Sequence, residues 1–206
     1  RMTKGPMAID VNPRSGGATG TRRLPQFGRV LQTQSIGFAD YKALLVRLEK
    51  RLAHNYMYTV SYTLASTHGN INNIGPTATI TDSANPSYDL GTNNSDRRNA
   101  LVASGSVILP YEVVLGAVFT ARSTMPFSAI AGVDLNGDAA LTDYVAGTTR
   151  NVFNRGDNAG ALKLVNAYRA ATNLAPIPES QLNTNEYYGL DVRATKAIAV
   201  GSGRKV

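Results

Sequence analysis

The strongest signal along the chain is alternation. From 54 to 64 the residues His54, Tyr56, Tyr58, Val60, Tyr62 and Leu64 share one face, and Asn55, Met57, Thr59, Ser61 and Thr63 share the other. A period of two with β-branched and aromatic residues describes a pleated strand. The preceding stretch 41–52 repeats the pattern, with Leu44, Val46, Leu48 and Leu52 against Leu45, Arg47, Glu49 and Arg51. Its Leu, Lys, Arg and Glu also suit a helix. The strand that follows argues against a helix, because Ala53-His54-Asn55 leaves room only for a tight hairpin. Two further runs, 100–109 and 111–122, meet at Leu109-Pro110-Tyr111. In the second, Tyr111, Val113, Leu115, Ala117 and Phe119 share a face. A last run, 187–200, sets Tyr188, Leu190, Val192, Ala194, Ile198 and Val200 against Asp191, Arg193 and Thr195, with Lys196 interrupting the apolar side.

These patterns predict an all-β chain, an antiparallel up-and-down meander forming one partial β-barrel domain over 1–206. Strands are expected at about 27–36, 41–52, 54–66, 100–109, 111–122 and 187–200. Residues 1–26 read as loop, and 67–99 and 123–186 as long loops rich in Gly, Asn, Pro, Ser and Thr. Inside the second long loop, Leu162, Val165, Tyr168 and Arg169 predict a short helix over 159–172. The connections run short (37–40), tight, long, tight, long. In a meander this puts the tight turns on one edge and the long loops on the other, as in outer-membrane barrels. Strands of about 9–11 residues suit a tilted bilayer crossing. Tyr41, Tyr56, Tyr111, Tyr187 and Tyr188 stand at strand ends, where aromatic girdles form.

Composition narrows the function classes. The 206 residues include no Cys, which excludes a disulfide framework, a thiolate metal site and a Cys nucleophile. A mean hydropathy of −0.17 suits a soluble globule or a barrel wall whose alternating faces cancel. The net charge of +7 raises nucleic acid as a partner. The positive residues are scattered as short pairs, such as Arg22-Arg23 and Arg97-Arg98, so no nucleic-acid partner is expected. No apolar run approaches the ~20 residues of a membrane helix. The first residues lack a signal-peptide core, and the tail runs straight on from a strand, so the chain is expected to be a fragment.

Four stretches, taken in order, resemble the C-terminal barrel of TonB-dependent outer-membrane receptors, specifically the Oar-like group. They are YKALLVRLEKRLAHNYMYTVSYTLAST (41–67), NNSDRRNALVASGSVILPYEVVLGAVFTARSTMPFS (93–128), GVDLNGDAALTDYVAGTTRNVFNRG (132–156) and NEYYGLDVRATKAI (185–198). The resemblance implies a 22-strand barrel with an N-terminal plug, opened by energy from the inner membrane. It places the chain in a Gram-negative-type outer membrane, with membrane lipid, an unidentified transported ligand and, through an N-terminal part absent here, the TonB complex as partners. This chain has too few strands to close such a barrel, no recognisable plug or TonB box, and no terminal strands with a closing aromatic residue. Transport would therefore belong to the intact protein.

The loop VDLNGDAALTDY (133–144) is the one stretch that raises metal chemistry. Asp134, Asn136 and Asp138 fill positions 1, 3 and 5 of a calcium loop. Position 6 is Ala139 rather than Gly, position 12 is Val145, and Asp143 falls at position 10. The favoured reading is an Asn-Gly turn stiffened by Asp side chains. The alternative is a calcium site built from Asp134, Asn136, Asp138 and Asp143; no other cofactor is expected. Asp96-Arg97-Arg98 reads as solvated ion pairing before a strand. Arg47, Glu49, Arg51, Asp191 and Arg193 would line a lumen, where such charges pair across strands. His54 and His68 lie at opposite ends of one strand and cannot share a metal. No G-x-S-x-G, Walker A or H-E-x-x-H motif occurs, and nothing supports an enzyme. A second functional reading is a soluble secreted β-domain that binds a glycan or a cell-surface partner. The two readings differ in what Leu44, Val46, Leu48, Tyr58, Val60, Leu115 and Phe119 meet: lipid in a barrel, a second layer in a soluble domain.

Overall fold

A computed structural model describes residues 2–17, 19–71, 80–182, 186–200, 204 and 205. Parts of the expected loops (72–79 and 183–185) and of the tail lie outside the described residues. In chain order the elements are β1 (Met2–Asp10), β2 (Arg14–Ser15), β3 (Thr21–Arg22), β4 (Leu31–Ala53), β5 (Tyr56–Gly69), β6 (Gly91–Thr92), β7 (Asn99–Leu109), β8 (Val113–Arg122), α1 (Asn158–Ala171), β9 (Tyr187–Lys196), β10 (Ala199–Val200) and β11 (Arg204–Lys205). The hydrogen-bonded order is β1-β4-β5-β7-β8-β9, with β6 added to β5. The pairings β1–β4, β5–β7, β7–β8 and β8–β9 are all antiparallel.

The chain groups into two compact units. One comprises Arg1–Lys42, Ser66–Asp96 and Met125–Thr184, and contains all the long connections. The other comprises Ala43–Ala65, Arg97–Thr124 and Asn185–Val206, and contains the tight turns and the regular wall.

In the wall unit the register assigns every side chain a face. Val60, Ala103, Phe119 and Leu190 form one cross-strand row, and Thr59, Ser104, Val118 and Asp191 form the next row on the opposite face. One face is therefore apolar from β5 to β9 and the other carries Ser, Thr and charge. Leu44, Val46, Leu48 and Tyr58 are exposed, so no second protein layer covers them among the described residues. Gly105 faces Tyr58 directly on the apolar side, an aromatic covering a cross-strand glycine. The tight turns use left-handed residues: His54 (φ 55) and Asn55 (φ 66) join β4 to β5, and Tyr111 (φ 64) and Glu112 (φ 58) join β7 to β8. Paired positive φ values match the twist of the flanking strands.

The rims carry amphipathic side chains. At the β4–β5 turn the Lys50 ammonium lies 3.7 Å from the Tyr56 ring centroid and donates to the carbonyls of Ala53 and Tyr56. Toward the other strand ends, the Tyr62 hydroxyl donates to Asn99 Oδ1 at 2.7 Å. Of the five tyrosines expected in girdles, Tyr187 instead shares a face with Asp191 and Arg193 and sits 6.0 Å from Arg122. Lys196 pairs with Val113 at the end of β9, beside a turn, so it interrupts the apolar face only at its rim.

Three expectations change. Residues 1–26 are not all loop, because β1 occupies 2–10. Gly5-Pro6 reads as punctuation, but the β1–β4 register shifts between Gly5 and Met7, a bulge in which proline costs no ladder bond. The expected strands 27–36 and 41–52 are one strand, Leu31–Ala53. Gly37 is a packing glycine within it: a Cβ there would lie 2.8 Å from Met7 Cγ and 2.9 Å from the Gly5 carbonyl oxygen. The last strand stops at Lys196, and 199–200 pair instead with 204–205.

The face assignment makes a prediction. Val60→Arg, in the middle of the apolar row, should cost about 2–4 kcal/mol of barrel stability in a bilayer. Ser104→Arg, one position over on the polar face, should cost little. Urea unfolding of the intact protein in lipid vesicles would show both, and equal penalties would contradict the assignment.

Candidate functional site

The long connections form a folded unit rather than slack loops. Helix α1 begins at Asp157, whose side chain accepts from the Gly160 amide, and ends before Asn173 in the left-handed conformation (φ 58). Its Ala161 and Val165 are buried against Ala129, Val145 and Phe153, and Phe127 stacks on Phe153 with centroids 4.8 Å apart. A second small core joins Met7, Ile71 and Ile80.

Buried polar groups tie these pieces together. Arg150 is 3% exposed. Its guanidinium donates to the carbonyls of Gly69 (2.6 Å), Gly91 (3.3 Å) and Thr92 (3.3 Å). Burial pushes the Arg150 guanidinium below its ordinary value. Asn151 donates to the Thr92 carbonyl at 2.7 Å. A Cβ on Gly91 would collide with the Arg150 carbonyl, so a side chain there would push the two segments apart. Tyr88 and Tyr144 stack at 5.1 Å, and the Tyr144 hydroxyl donates to Asp89 Oδ1 at 2.8 Å. Asp89 also accepts from the Thr81 amide and hydroxyl. Burial, then the Asp89 charge and bond, raise the Tyr144 hydroxyl well above the ordinary tyrosine value.

Asp96 does not form the solvated pair expected of Asp96-Arg97-Arg98. It is buried, accepts from the Thr67 amide, and pairs with Arg155 at 2.7 Å. Arg97 donates instead to the Ser123 carbonyl. Local reading favoured the neighbouring arginines, whereas the actual partner is 59 residues away.

The four candidate ligands of the 133–144 turn, Asp134, Asn136, Asp138 and Asp143, each accept from backbone amides. Asp134 Oδ1 accepts from Gly137 (2.6 Å) and Asp138 (3.2 Å), and Oδ2 from Ala139 (2.9 Å). Asn136 Oδ1 accepts from Asp138, and Asp138 Oδ1 from Ala140. Asp143 Oδ2 accepts from Leu135 (2.6 Å) and Asn136 (3.2 Å). Ala139 takes φ 72, the left-handed value that glycine supplies at this position of calcium loops. Among the described residues no three Asp, Glu, His or Cys side chains stand together as a metal cluster.

Residues 136–140 help line a polar cleft of about 710 Å³. Arg14, Arg22, Arg29 and 80–84 line it too. Arg22 donates to Asp10 at 2.9 Å and to the Asn12 carbonyl. Burial works against ionisation of Asp10, but bonds from the Asn12 amide, Arg22 and the Val30 amide prevail and hold its carboxyl below the ordinary value. Nothing in the local pattern of 1–30 pointed to this group, because its partners converge only when β1 pairs with β4. On the polar face of the wall unit, Arg47 and Glu49 pair at 3.0 Å along β4. A hollow of about 560 Å³ there is lined by Glu49, Arg51, Ser104, Ser106, Asp191 and Arg193 among others. His54 lies in the first tight turn and His68 pairs with Thr92 at the far end of β5.

Two outcomes are expected of this network. Asp96→Ala strands the buried Arg155 and should remove about 3–5 kcal/mol from the loop unit. Limited proteolysis of the intact protein should then cut within 66–96 and 125–184 while the wall strands stay protected. Tyr144 has a folded pKa above its unfolded value of about 10, so its stabilising effect is complete below pH 10 and is lost as pH rises beyond it. Thermal melting should therefore fall above about pH 10, and Tyr144→Phe should make that fall shallower.

No curated protein and no solved structure matches this chain. The model of one family, described as outer membrane beta barrel domain, matches residues 5–206. That span takes in the two-faced wall and the folded connections alike, and the chain belongs to the outer membrane β-barrel domain family.

Proposed function

We propose that this barrel domain is part of a TonB-dependent receptor of the Oar-like group, whose long connections capture a substrate for energised uptake through the complete barrel. The observation that carries the reading is the loop unit. Its connections hold two apolar cores, a buried arginine and a polar cleft of about 710 Å³, more structure than is needed to link strands. The wall unit supplies support, with charged and hydroxyl side chains on its polar face. Capture belongs to the loops and passage to the closed barrel, so the chain acts as scaffold and ligand-facing surface, not as a catalyst. The glycan-binding soluble domain loses its footing, because family membership places the chain in the outer membrane and its apolar face carries no protein layer among the described residues.

The test uses the intact protein in its own cell. It should fractionate with the outer membrane and change gel mobility on boiling. Growth on the substrate it imports should fail equally when the protein or the energy-coupling complex is deleted, and the double deletion should add nothing. A phenotype that persists without energy coupling would reduce the domain to a passive channel or a structural barrel.

A further inference from the structure

The polar cleft of about 710 Å³ lies within the loop unit, and hydrogen bonds between distant segments fix the pieces that line it. The Gly17 amide donates to the Gly137 carbonyl at 2.7 Å, and the Asp10 amide to Ser83 Oγ at 2.9 Å. Both signs of charge line the space, Arg14, Arg22 and Arg29 with Asp10, Asp82 and Asp138. Residues 10–29 carry four arginines and a single carboxylate, Asp10. That carboxylate serves Arg22 at 2.9 Å and Arg29 at 4.0 Å. Arg14 and Arg22 stand directly opposite one another in the β2–β3 pair, where like charges repel. The remaining acids come from segments 80–84 and 136–140, which hold no lysine or arginine. Asp82 Oδ1 accepts from the Ala84 and Asn85 amides, and Asp138 Oδ1 from Ala140. Among the described residues both acids stay beyond ion-pair distance of all three arginines. The cleft therefore holds opposite charges apart.

We propose that this cleft binds a zwitterion, a short peptide with free ends, its carboxylate on Arg29 and its ammonium on Asp82 and Asp138. A purely anionic ligand would meet repulsion from the two acids, and a purely cationic one from the arginines. A ligand carrying both charges meets each with its opposite. In a single amino acid the two charges are too close together to span groups held apart, whereas an extended peptide gains about 3.5 Å per residue. No aromatic side chain lines the cleft among the described residues, so a ligand ammonium has no ring face to rest on and depends on carboxylates. The volume falls within the roughly 300–1,000 Å³ of small-molecule pockets, which suits a di- or tripeptide. Arg29, half exposed, is the arginine least committed to Asp10 of the two that pair with it. The proposal names the substrate class for the capture described above and rests on that reading.

The experiment is calorimetry on the intact protein in detergent with trialanine, N-acetyl-trialanine, trialanine amide, free alanine and maltotriose. Saturable binding of trialanine is expected, with either blocked form and free alanine weaker by about tenfold or more. Arg29→Gln should weaken trialanine by about tenfold and leave the amide, which lacks the carboxylate, unchanged. Asp82→Asn with Asp138→Asn should weaken trialanine and leave the N-acetyl form unchanged. Asn keeps the Oδ1 acceptor for the backbone amides and Arg29 is half exposed, so the proteolytic pattern of both variants should match the parent's. No saturable binding up to about 10 mM, equal affinity for the blocked forms, unchanged affinity in the variants, or binding of maltotriose in place of the peptide overturns the site. Peptide binding alongside growth that persists without energy coupling removes the receptor reading and leaves the cleft. Energy-dependent growth without peptide binding does the reverse.

Discussion

A buried loop must satisfy its own backbone polar groups, and here one guanidinium meets that constraint for three carbonyls at once. The connections 66–96 and 125–184 lack long ladders, so their carbonyls would be stranded wherever they pass under other chain. Arg150 reaches three of them, on Gly69, Gly91 and Thr92. Asn151 adds a fourth contact, to the Thr92 carbonyl, and Asp96 with Arg155 fastens the next segment. Remove these and the two small apolar cores are too far apart in sequence to hold the connections together. The cost is burial of charge, which is tolerated because each charged group has fixed polar partners.

The wall solves the opposite problem. Its backbone is satisfied by pairing, and its side chains sort by the period of two. Val60, Ala103, Phe119 and Leu190 make one face suitable for hydrocarbon, and Thr59, Ser104 and Asp191 make the other suitable for water. Lys50 over Tyr56 and Tyr62 with Asn99 finish the apolar face with side chains that are greasy in the middle and polar at the tip. Family membership and this two-faced wall say the same thing: the chain is a piece of an outer-membrane barrel.

How much of this could be read from sequence follows from which interactions are local. β5, β7, β8 and β9 were legible because each carries its own alternation. β1 was hidden by Gly5-Pro6, and the unity of β4 by Gly37, residues that signal turns in isolation but here form a bulge and a close strand contact. The α1 periodicity was visible, while the residues it packs against, Ala129, Val145 and Phe153, were not, since no period links them. The turn at 134–143 was visible as a motif. The Arg150 bonds and the Tyr144–Asp89 bond join residues more than 50 positions apart and leave no trace in a local pattern.

The most direct measurement is sidedness in living cells. The chain has no cysteine, so single cysteines can be placed at Leu135 in the folded connections and at His54 in the tight turn, then challenged with a membrane-impermeant maleimide. The account predicts labelling at 135 and protection at 54 until the outer membrane is permeabilised. Labelling at 54 with protection at 135, or equal labelling of both in intact cells, would contradict the proposed receptor, whose ligand-facing connections must be reachable from outside the cell.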